Sequence, residues 1–296
     1  MKKWIITGAL LLSAAAAFGQ TRTIEHDFSA FDAVVASQDF AVALNLDSSY
    51  GAKLTLDDAL EDFVKCYVKG RTLFIELDSK AVPKDLKKQY RGRNASAPVL
   101  NVTVYAPSLN SVTLNDQATF TSLDRIETDN FNVNLSGSSS VQKLSVRAKT
   151  ATVVCSKKSS LKMELSADEV SLKAADKAKA ELECDARLLS VDNAGSAAVV
   201  LKGDADEVEV TTANSAVLNL SGTAASLKVT GSRGSSKIDA SGLPVRNATV
   251  TLAGSELTVA VDQLLELDLS RGASVTYSGD PAVKIVRIQN ASVLRK

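Results

Sequence analysis

Histidine, cysteine and aromatic residues are scarce in this chain, and their scarcity excludes several kinds of site. The 296 residues include one histidine, three cysteines and 5% aromatic residues. A Ser/His/Asp catalytic arrangement needs a well-placed histidine, and a zinc site needs a compact set of Cys and His ligands. Few aromatic rings also remove the stacking platforms that single-strand nucleic-acid binders use. We therefore expect no catalytic residues, no cofactor-binding residues and no metal ligands, and we interpret His26 as a surface residue.

Net charge is absent as well. Lys and Arg together number 34, as do Asp and Glu, so the formal charge is zero. A nucleic-acid-binding protein presents a basic face and a high isoelectric point. The balance of charges therefore argues against a nucleic-acid partner.

Long apolar runs are missing after the first twenty residues, and a membrane span needs about 20 such residues. The start of the chain is different. Lys2 and Lys3 precede an apolar run from Trp4 to Phe18, followed by small residues at the cleavage positions. This pattern predicts a signal peptide over residues 1–19, removed after Gly19. We therefore expect an exported protein of the periplasm, the outer-membrane surface or the medium, without an integral membrane segment in the mature chain.

An odd number of cysteines in an exported chain leaves at least one free thiol. Cys155 and Cys184 stand at positions where neighbouring sequence alternates between apolar and polar residues, and both fall in the apolar phase. We interpret them, with Cys66, as packed thiols. Whether any pair forms a disulfide stays open at this point.

What the chain has in abundance is a repeat of about nineteen residues, starting near Val112 and marked by two apolar residues two positions apart. A period near twenty that is built from alternating strands predicts a solenoid of stacked coils, since no single coil can bury its own apolar face. The apolar pairs are Val112/Leu114, Val133/Leu135, Val153/Cys155, Val170/Leu172, Leu189/Val191, Val208/Val210, Leu227/Val229, Val250/Leu252, Leu267/Leu269 and Ile285/Ile288.

Small and turn-forming residues recur in the gap between the two runs of each copy, as in 138–140, 194–196 and 233–235. Gly and Asn tolerate positive φ, and Ser or Ala avoids clashes between stacked corners. We interpret these segments as structural corners, not as a serine-based active site.

The organisation before residue 100 is less regular. Residues 57–64 have helical spacing, with Asp57 as a candidate N-cap and Leu60, Phe63 and Val64 on one face, and this short helix is predicted to cap the solenoid. Residues 81–98 are predicted to be a solvated loop; the alternative is a contact for anionic glycans or phosphates. Its basic residues are Lys84, Lys87, Lys88, Arg91 and Arg93. The predicted division is a signal peptide at 1–19, N-terminal strands and cap at 20–99, and regular coils at 100–296.

Several stretches resemble the head GIN domain of putative bacterial auto-transporter adhesins, a family found mostly in secreted proteins of the Bacteroidetes type. The resemblance implies an all-β, single-stranded right-handed parallel β-helix at the cell envelope or surface, and it brings no catalytic residues. In order and spacing the stretches cover most of the chain from residue 22 onward. They are 31–35, 40–44, 70–75, 102–109 and 133–141.

Function is therefore expected to reside in the surface. The copies leave room only for short turns, so acidic residues such as Asp185, Asp206, Glu207 and Glu209 are interpreted as a solvated face. The outward positions of the strands are suited to many weak contacts with an envelope protein or glycan. Examples are Thr211, Lys228, Thr249 and Thr251. The favoured hypothesis is a non-catalytic binding module or adhesin; the alternatives are a carbohydrate-active β-helix enzyme and a scaffold that associates end to end with itself.

Overall fold

The computed structural model describes residues 20–90 and 95–296, without the side chains of residues 231–233. The predicted signal peptide and the basic residues Arg91 and Arg93 lie outside the described residues. The described chain is a β-solenoid of about ten turns, with 69% of residues in strands and 4% in helices. The all-β fold of stacked parallel coils predicted from the repeat is confirmed.

The first part of the chain forms short strands and two short helices. The elements are β1 (Thr21–Asp27), β2 (Ala33–Ala36), β3 (Ala41–Leu46), β4 (Gly51–Asp57), a 3-10 helix (Asp58–Phe63), β5 (Val64–Lys69), β6 (Thr72–Leu77), α1 (Lys84–Gln89) and β7 (Leu100–Ala106).

The second part is regular, and six of its strands run for 15 to 18 residues through a bend. The elements are β8 (Ser111–Leu114), β9 (Thr119–Glu127), β10 (Asn130–Leu135), β11 (Ser140–Arg147), β12 (Thr150–Cys155), β13 (Ser160–Ala174), β14 (Lys179–Asn193), β15 (Ala198–Asn214), β16 (Val217–Gly234), β17 (Lys237–Ala253), β18 (Glu256–Ser270), β19 (Ser274–Ser278), β20 (Ala282–Gln289) and β21 (Ser292–Arg295).

Two faces make up the solenoid, and each coil crosses from one to the other at a bend and returns through a corner turn. The first face, here called sheet 1, runs through β5, β6, β2, β8, β10, β12, the second halves of β13 to β18, and β20. The opposite face, sheet 2, runs through β1, β4, β7, β3, β9, β11, the first halves of β13 to β18, then β19 and β21. Register partners on adjacent coils point to the same side of the sheet, so one residue type can repeat along a face.

The spatial order of the first coils differs from their order in the sequence. Strand β2 lies between β6 and β8, and β3 lies between β7 and β9. Residues 33–46 therefore form a coil between one made from residues 72–106 and one made from residues 111–127. Beyond these, β4 pairs antiparallel with β1 and β7, and β5 pairs antiparallel with β6. Nothing in the repeat predicted this exchange of order.

One continuous core fills the space between the sheets, and in most strands every second residue contributes to it. The apolar pairs from Val112/Leu114 to Leu267/Leu269 point into it, and Cys155 and Cys184 are buried with them, as predicted. A ladder of small residues lines the inside of the corner turns, because stacked corners leave little room there. Its buried members are Ala118, Ser139, Ser159, Ala178, Ala197, Ala216, Ser236, Ser255 and Ala273.

The last predicted pair is wrong as a core pair. Ile285 is 59% exposed and Ile288 is 41% exposed. Strand β20 pairs with β18 on one side, and no described strand covers its other side. These side chains therefore lack the neighbouring coil that buries their counterparts.

The short helix predicted over residues 57–64 is present as the 3-10 helix, and it joins β4 to β5 with Leu60 buried. Asp57 does not cap it through its side chain; its carboxylate accepts a hydrogen bond from the Val99 N–H at 3.0 Å. The predicted solvated loop 81–98 also differs from expectation, since it contains α1 and its Val82 is buried. Apolar contacts anchor that segment to the core.

Candidate functional site

The residues that sequence reasoning weighed for chemistry are dispersed over the surface. His26 lies exposed on β1 beside the ring of Phe28, with 5.8 Å between ring centroids. Asp206 and Glu207 are exposed, and Glu209 binds the Lys228 ammonium at 2.9 Å. That ion pair raises the pKa of Lys228. Among the described residues, no group of three or more His, Cys, Asp or Glu side chains could hold a metal ion.

A shallow groove, here called the bend groove, follows the outside of the bend in β13 to β15. It has a volume of about 260 Å³ and is lined by Glu164, Glu183, Asp185, Lys202 and Gly203, among others. Glu164 and Glu183 are register partners on adjacent strands, so their side chains leave the sheet side by side. The Asp185 carboxylate also accepts a hydrogen bond from the Asp204 N–H at 3.3 Å. Sequence reasoning named Asp185 but not the two glutamates beside it.

A larger cavity lies at the corner turns near the N-terminal coils, with a volume of about 650 Å³. This corner cavity brings together Asp39 and Asp116 from successive corners and Lys87 and Tyr90 from the segment around α1. Partial burial raises the pKa of Asp39, and the nearby Asp116 carboxylate raises it further. The Gln38 side-chain amide donates to Asp116 at 3.3 Å. Only the fold brings these residues together, because they lie 78 positions apart in the sequence.

Two aromatic rings meet on the outer surface of sheet 1. Tyr67 and Phe74 stack with 5.3 Å between centroids and 15° between ring planes. The Tyr67 hydroxyl donates to the Glu76 carboxylate at 3.0 Å, and that bond raises the pKa of the phenol. The sequence contained the signal for this contact, since a two-residue hairpin at Gly70 and Arg71 places residues 67 and 74 opposite each other.

Next to this pair, four consecutive strands of sheet 1 contain no charged residue. They are β2, β8, β10 and β12, with sequences AVVA, SVTL, NFNVNL and TATVVC. We call their outer surface, together with the aromatic pair, the neutral face. Its outward residues are Tyr67, Phe74, Ala33, Val35, Ser111, Thr113, Asn130, Asn132, Asn134, Thr150, Thr152 and Val154.

Beyond β12, sheet 1 becomes charged. The outward residues there include Glu169 and Lys173 on β13, Glu207 and Glu209 on β15, Glu266 and Asp268 on β18, and Lys284 and Arg287 on β20. Lys284 binds Glu266 at 3.2 Å and Arg287 binds Asp268 at 2.6 Å across adjacent coils. The two halves of the same sheet thus differ in their chemistry.

All three cysteines are free thiols. Cys155 and Cys184 are buried, and Cys66 is half-buried on β5. Burial raises the pKa of each thiol to about 12. The interpretation of these residues as packed thiols is confirmed, and none is suited to act as a thiolate nucleophile near neutral pH.

The sequence can now be compared with known proteins. The family described as "Putative auto-transporter adhesin, head GIN domain" matches residues 30–199 and 168–281. The chain belongs to this family. The matches of the GIN-domain family extend from the coil of β2 and β3 through β19. No curated protein sequence matches the chain.

Solved structures from two Parabacteroides species are similar to this member of the GIN-domain family. A putative adhesin from Parabacteroides distasonis has a TM-score of 0.52 at 17% identity, over 94% of this chain and 98% of that one. A structure described as a putative lipid binding protein from the same species has a TM-score of 0.45 at 20% identity, covering 94% and 98%. A putative adhesin from Parabacteroides merdae has a TM-score of 0.44 at 17% identity, covering 94% and 97%. The first of these supports the solenoid fold.

No helix among residues 20–90 and 95–296 is long and apolar enough to cross a membrane.

Proposed function

We propose that this protein is an exported, non-catalytic adhesin that binds an extended envelope or extracellular partner, a glycan or a protein, through the outer faces of its solenoid. Its membership of the GIN-domain adhesin family carries the proposal. The signal-peptide pattern of residues 1–19 supports export, because basic residues precede a short apolar run.

The shape of the surface supports an extended partner. Successive coils present the same positions at strand spacing, about 4.8 Å apart, so a partner that lies along the solenoid meets a repeated set of contacts. Thr211, Lys228 and Thr249 are exposed on sheet 1, as expected from the sequence. Each such contact is weak, and many of them together give useful affinity.

The test is an array of glycans and envelope proteins probed with the purified chain of residues 20–296, together with protease treatment of whole cells to locate the protein. We expect retention by at least one class of glycan or protein and cleavage of the protein on intact cells. Absence of binding to every member of both classes, or protection of the protein inside intact cells, would overturn the adhesin proposal.

The non-catalytic part of the proposal rests on the dimensions of the bend groove. Glu164, Glu183 and Asp185 lie together there, as the carboxylates of a glycosidase do. Yet ligand pockets usually have volumes of about 300 to 1,000 Å³ and bury most of the ligand, whereas this groove is smaller and its three carboxylates are exposed. Incubation with a panel of polysaccharides should release no oligosaccharides. Release by the wild type that is lost in both Glu164→Gln and Glu183→Gln would establish the enzyme alternative.

A self-associating scaffold is the second candidate, and the last coil favours it. Val283, Ile285, Val286, Ile288 and Leu294 are all exposed there, and β20 has an unpaired edge among the described strands. Exposed apolar strand edges pair readily with other chains. Light scattering at rising concentration separates the candidates: a scaffold gives dimers that Ile285→Lys abolishes and that Leu123→Lys, at a distant exposed leucine, leaves intact. A strict monomer would exclude the scaffold.

A further inference from the structure

We propose that the neutral face is a binding site for an uncharged polysaccharide chain, which runs across the strands of sheet 1 from the Tyr67–Phe74 pair toward β12. The proposal deepens the adhesin function above and rests on it, because it assigns the ligand class and the part of the solenoid that binds it.

The first argument is electrostatic. Charged residues make up 23% of the chain, but β2, β8, β10 and β12 contain none among their residues. Outward positions on β13, β15, β18 and β20 of the same sheet carry Glu, Asp, Lys or Arg, so exposure alone does not explain the difference. An uncharged ligand loses no affinity on a surface without charge, whereas an anionic chain finds no cation there to replace its counterions. The composition of these four strands therefore complements a neutral ligand.

The second argument is the supply of hydrogen-bonding groups. Asn132, Asn134 and Thr152 are exposed, and within the described chain their side chains make no hydrogen bond to protein. A carboxamide offers two donors and one acceptor oxygen, and a hydroxyl offers one donor and two lone pairs. Sugar hydroxyls also donate and accept, so these side chains match them without any ionised group.

The register arranges these groups in rows along the solenoid. Ser111, Asn132 and Thr152 are successive register partners, as are Thr113, Asn134 and Val154. At about 4.8 Å per strand, the six strands from β5 to β12 span about 24 Å, enough for several sugar units. The Thr150 hydroxyl donates to the Asn130 side-chain oxygen at 2.7 Å, which holds the first residues of two adjacent strands in place.

The third argument is the apolar end of the face. Phe74 is the register partner of Tyr67 on one side and of Val35 on the other, and Val35 is the partner of Thr113. The stacked rings thus continue directly into the polar rows. Aromatic faces give a large apolar surface at low conformational cost, which suits the C–H face of a sugar ring. Lys65, two residues before Tyr67 on β5, is bound by Asp78 at 3.0 Å.

A protein partner fits this surface less well. The cores of protein interfaces are apolar and draw most of their binding energy from buried Trp, Tyr and Arg side chains. The neutral face has one aromatic pair at its edge, and its other residues are mainly Ser, Thr and Asn, with only Ala33, Val35 and Val154 apolar. A polar, uncharged and repetitive surface matches a polar, uncharged and repetitive ligand.

The experiment is affinity electrophoresis of residues 20–296 in gels that contain a soluble neutral polysaccharide, with separate gels for a mixed-linkage β-glucan, a mannan, a galactan and, as the charged probe, a polyuronate. The variants are Tyr67→Ala and the double substitution Asn132→Ala with Asn134→Ala. The matched control is Asn219→Ala with Asn247→Ala, which removes two exposed asparagine side chains that lie on β16 and β17, outside the neutral face. Circular dichroism and thermal midpoints verify that all variants fold.

We expect retardation by at least one neutral polysaccharide, a loss of affinity of about tenfold or more in both neutral-face variants, and no change in the control. The proposal is overturned if no neutral gel retards the folded wild type, or if the control loses as much affinity as the neutral-face variants. Binding to the polyuronate alone, or to a protein on the array, would refute this inference while leaving the adhesin function standing. Failure in every gel and on the array would refute both.

Discussion

Gly203 lies against the backbone carbonyl of Cys184 on the preceding coil, so close that a Cβ at residue 203 would overlap the carbonyl oxygen. Its φ is 146°, a conformation that residues with a side chain rarely adopt. Gly222 approaches the carbonyl of Gly203 in the same way one coil later. The bend between the two sheets therefore depends on glycine at two successive coils.

Substitution Gly203→Ala should destabilise the protein strongly, because it adds both backbone strain and a clash with Cys184. We expect the free energy of unfolding to fall by roughly 3 kcal/mol. Gly70→Ala is the matched control: Gly70 also has positive φ, but no atom lies within 4 Å of an added Cβ. Gly70→Ala should lower the free energy of unfolding by only roughly 1 kcal/mol. Urea unfolding followed by circular dichroism measures both, and equal losses would contradict the role assigned to the close approach.

Substitution Ser159→Ala should stabilise the protein. The Ser159 hydroxyl is buried and is without a hydrogen-bond partner in the described structure. The same corner position holds Ala178 and Ala197 on the next two coils. Removing an unsatisfied buried hydroxyl should raise the free energy of unfolding by about 1 kcal/mol.

The control for this change is Ser139→Ala on the preceding coil. The Ser139 hydroxyl is also buried but donates to the Leu114 carbonyl at 3.2 Å. Loss of this hydrogen bond should lower the free energy of unfolding by about 1 kcal/mol. Urea midpoints that move in the same direction for both variants would show that the hydrogen bond of Ser139 does not distinguish the two sites.

The parallel coils were predictable because their cause is local. Alternation in pairs such as Val133/Leu135 and Val208/Val210 determines which side chains enter the core, and the nineteen-residue period determines that the pairs stack. The corner turns were also predictable where they use glycine or asparagine: Gly137, Gly195 and Asn214 have positive φ. Asp116 and Asp176 adopt the same conformation, which aspartate also tolerates, whereas Lys157 adopts it without any such signal in the sequence.

The candidate surface was less predictable for a different reason. The sequence shows that Asn132 and Thr152 alternate with apolar residues, but not that β2 and the hairpin of β5 and β6 extend the same sheet. The scarcity of aromatic residues argued against stacking platforms, yet two of them, Tyr67 and Phe74, meet on the surface. Residues 33–46 insert between later coils, so β2 connects the hairpin of Tyr67 and Phe74 to the strands that carry the Ser, Thr and Asn rows. The neutral face therefore depends on the long-range order of the strands, which the repeat does not encode.

The three thiols should resist modification in the folded protein. Burial raises the pKa of Cys66, Cys155 and Cys184 to about 12, so almost none of each is thiolate at pH 8. Ellman's reagent at pH 8 should titrate no thiol rapidly in the native protein and three thiols after unfolding in urea. Fewer than three thiols in the unfolded, unreduced protein would reveal a disulfide and contradict the structure.

Asp39 should make stability decrease with rising pH. Its folded-state pKa lies above the ordinary value of 3.8 because of partial burial and the Asp116 carboxylate. As pH rises from 3.8, the unfolded state loses this proton first, so the folded state loses relative stability until the pH passes the folded pKa. Asp39→Asn should therefore raise the urea midpoint at pH 7, and the gain should vanish at about pH 3 and below.

Asp47 is the control of opposite sign. Hydrogen bonds from the Ser49 N–H and hydroxyl lower the pKa of its carboxyl. Its stabilising contribution is present above the unfolded value of 3.8 and is lost as pH falls through the folded pKa. Asp47→Asn should lower the midpoint at pH 7, with the difference shrinking in acid. Parallel pH profiles for the two variants would contradict the opposite environments of these carboxyls.

The exchanged order of the first coils determines how the solenoid can grow. Residues 33–46 are synthesised before either of the coils that flank them, so β2 and β3 keep two unpaired edges until residues 72–106 and 111–127 have emerged. These first coils can form only when strands that are far apart in the sequence pair together, so their folding is expected to be slow. Each coil after β9 then adds to a finished template, one neighbour at a time. A nascent chain shorter than about 127 residues exposes open strand edges, whereas every later coil protects the one before it.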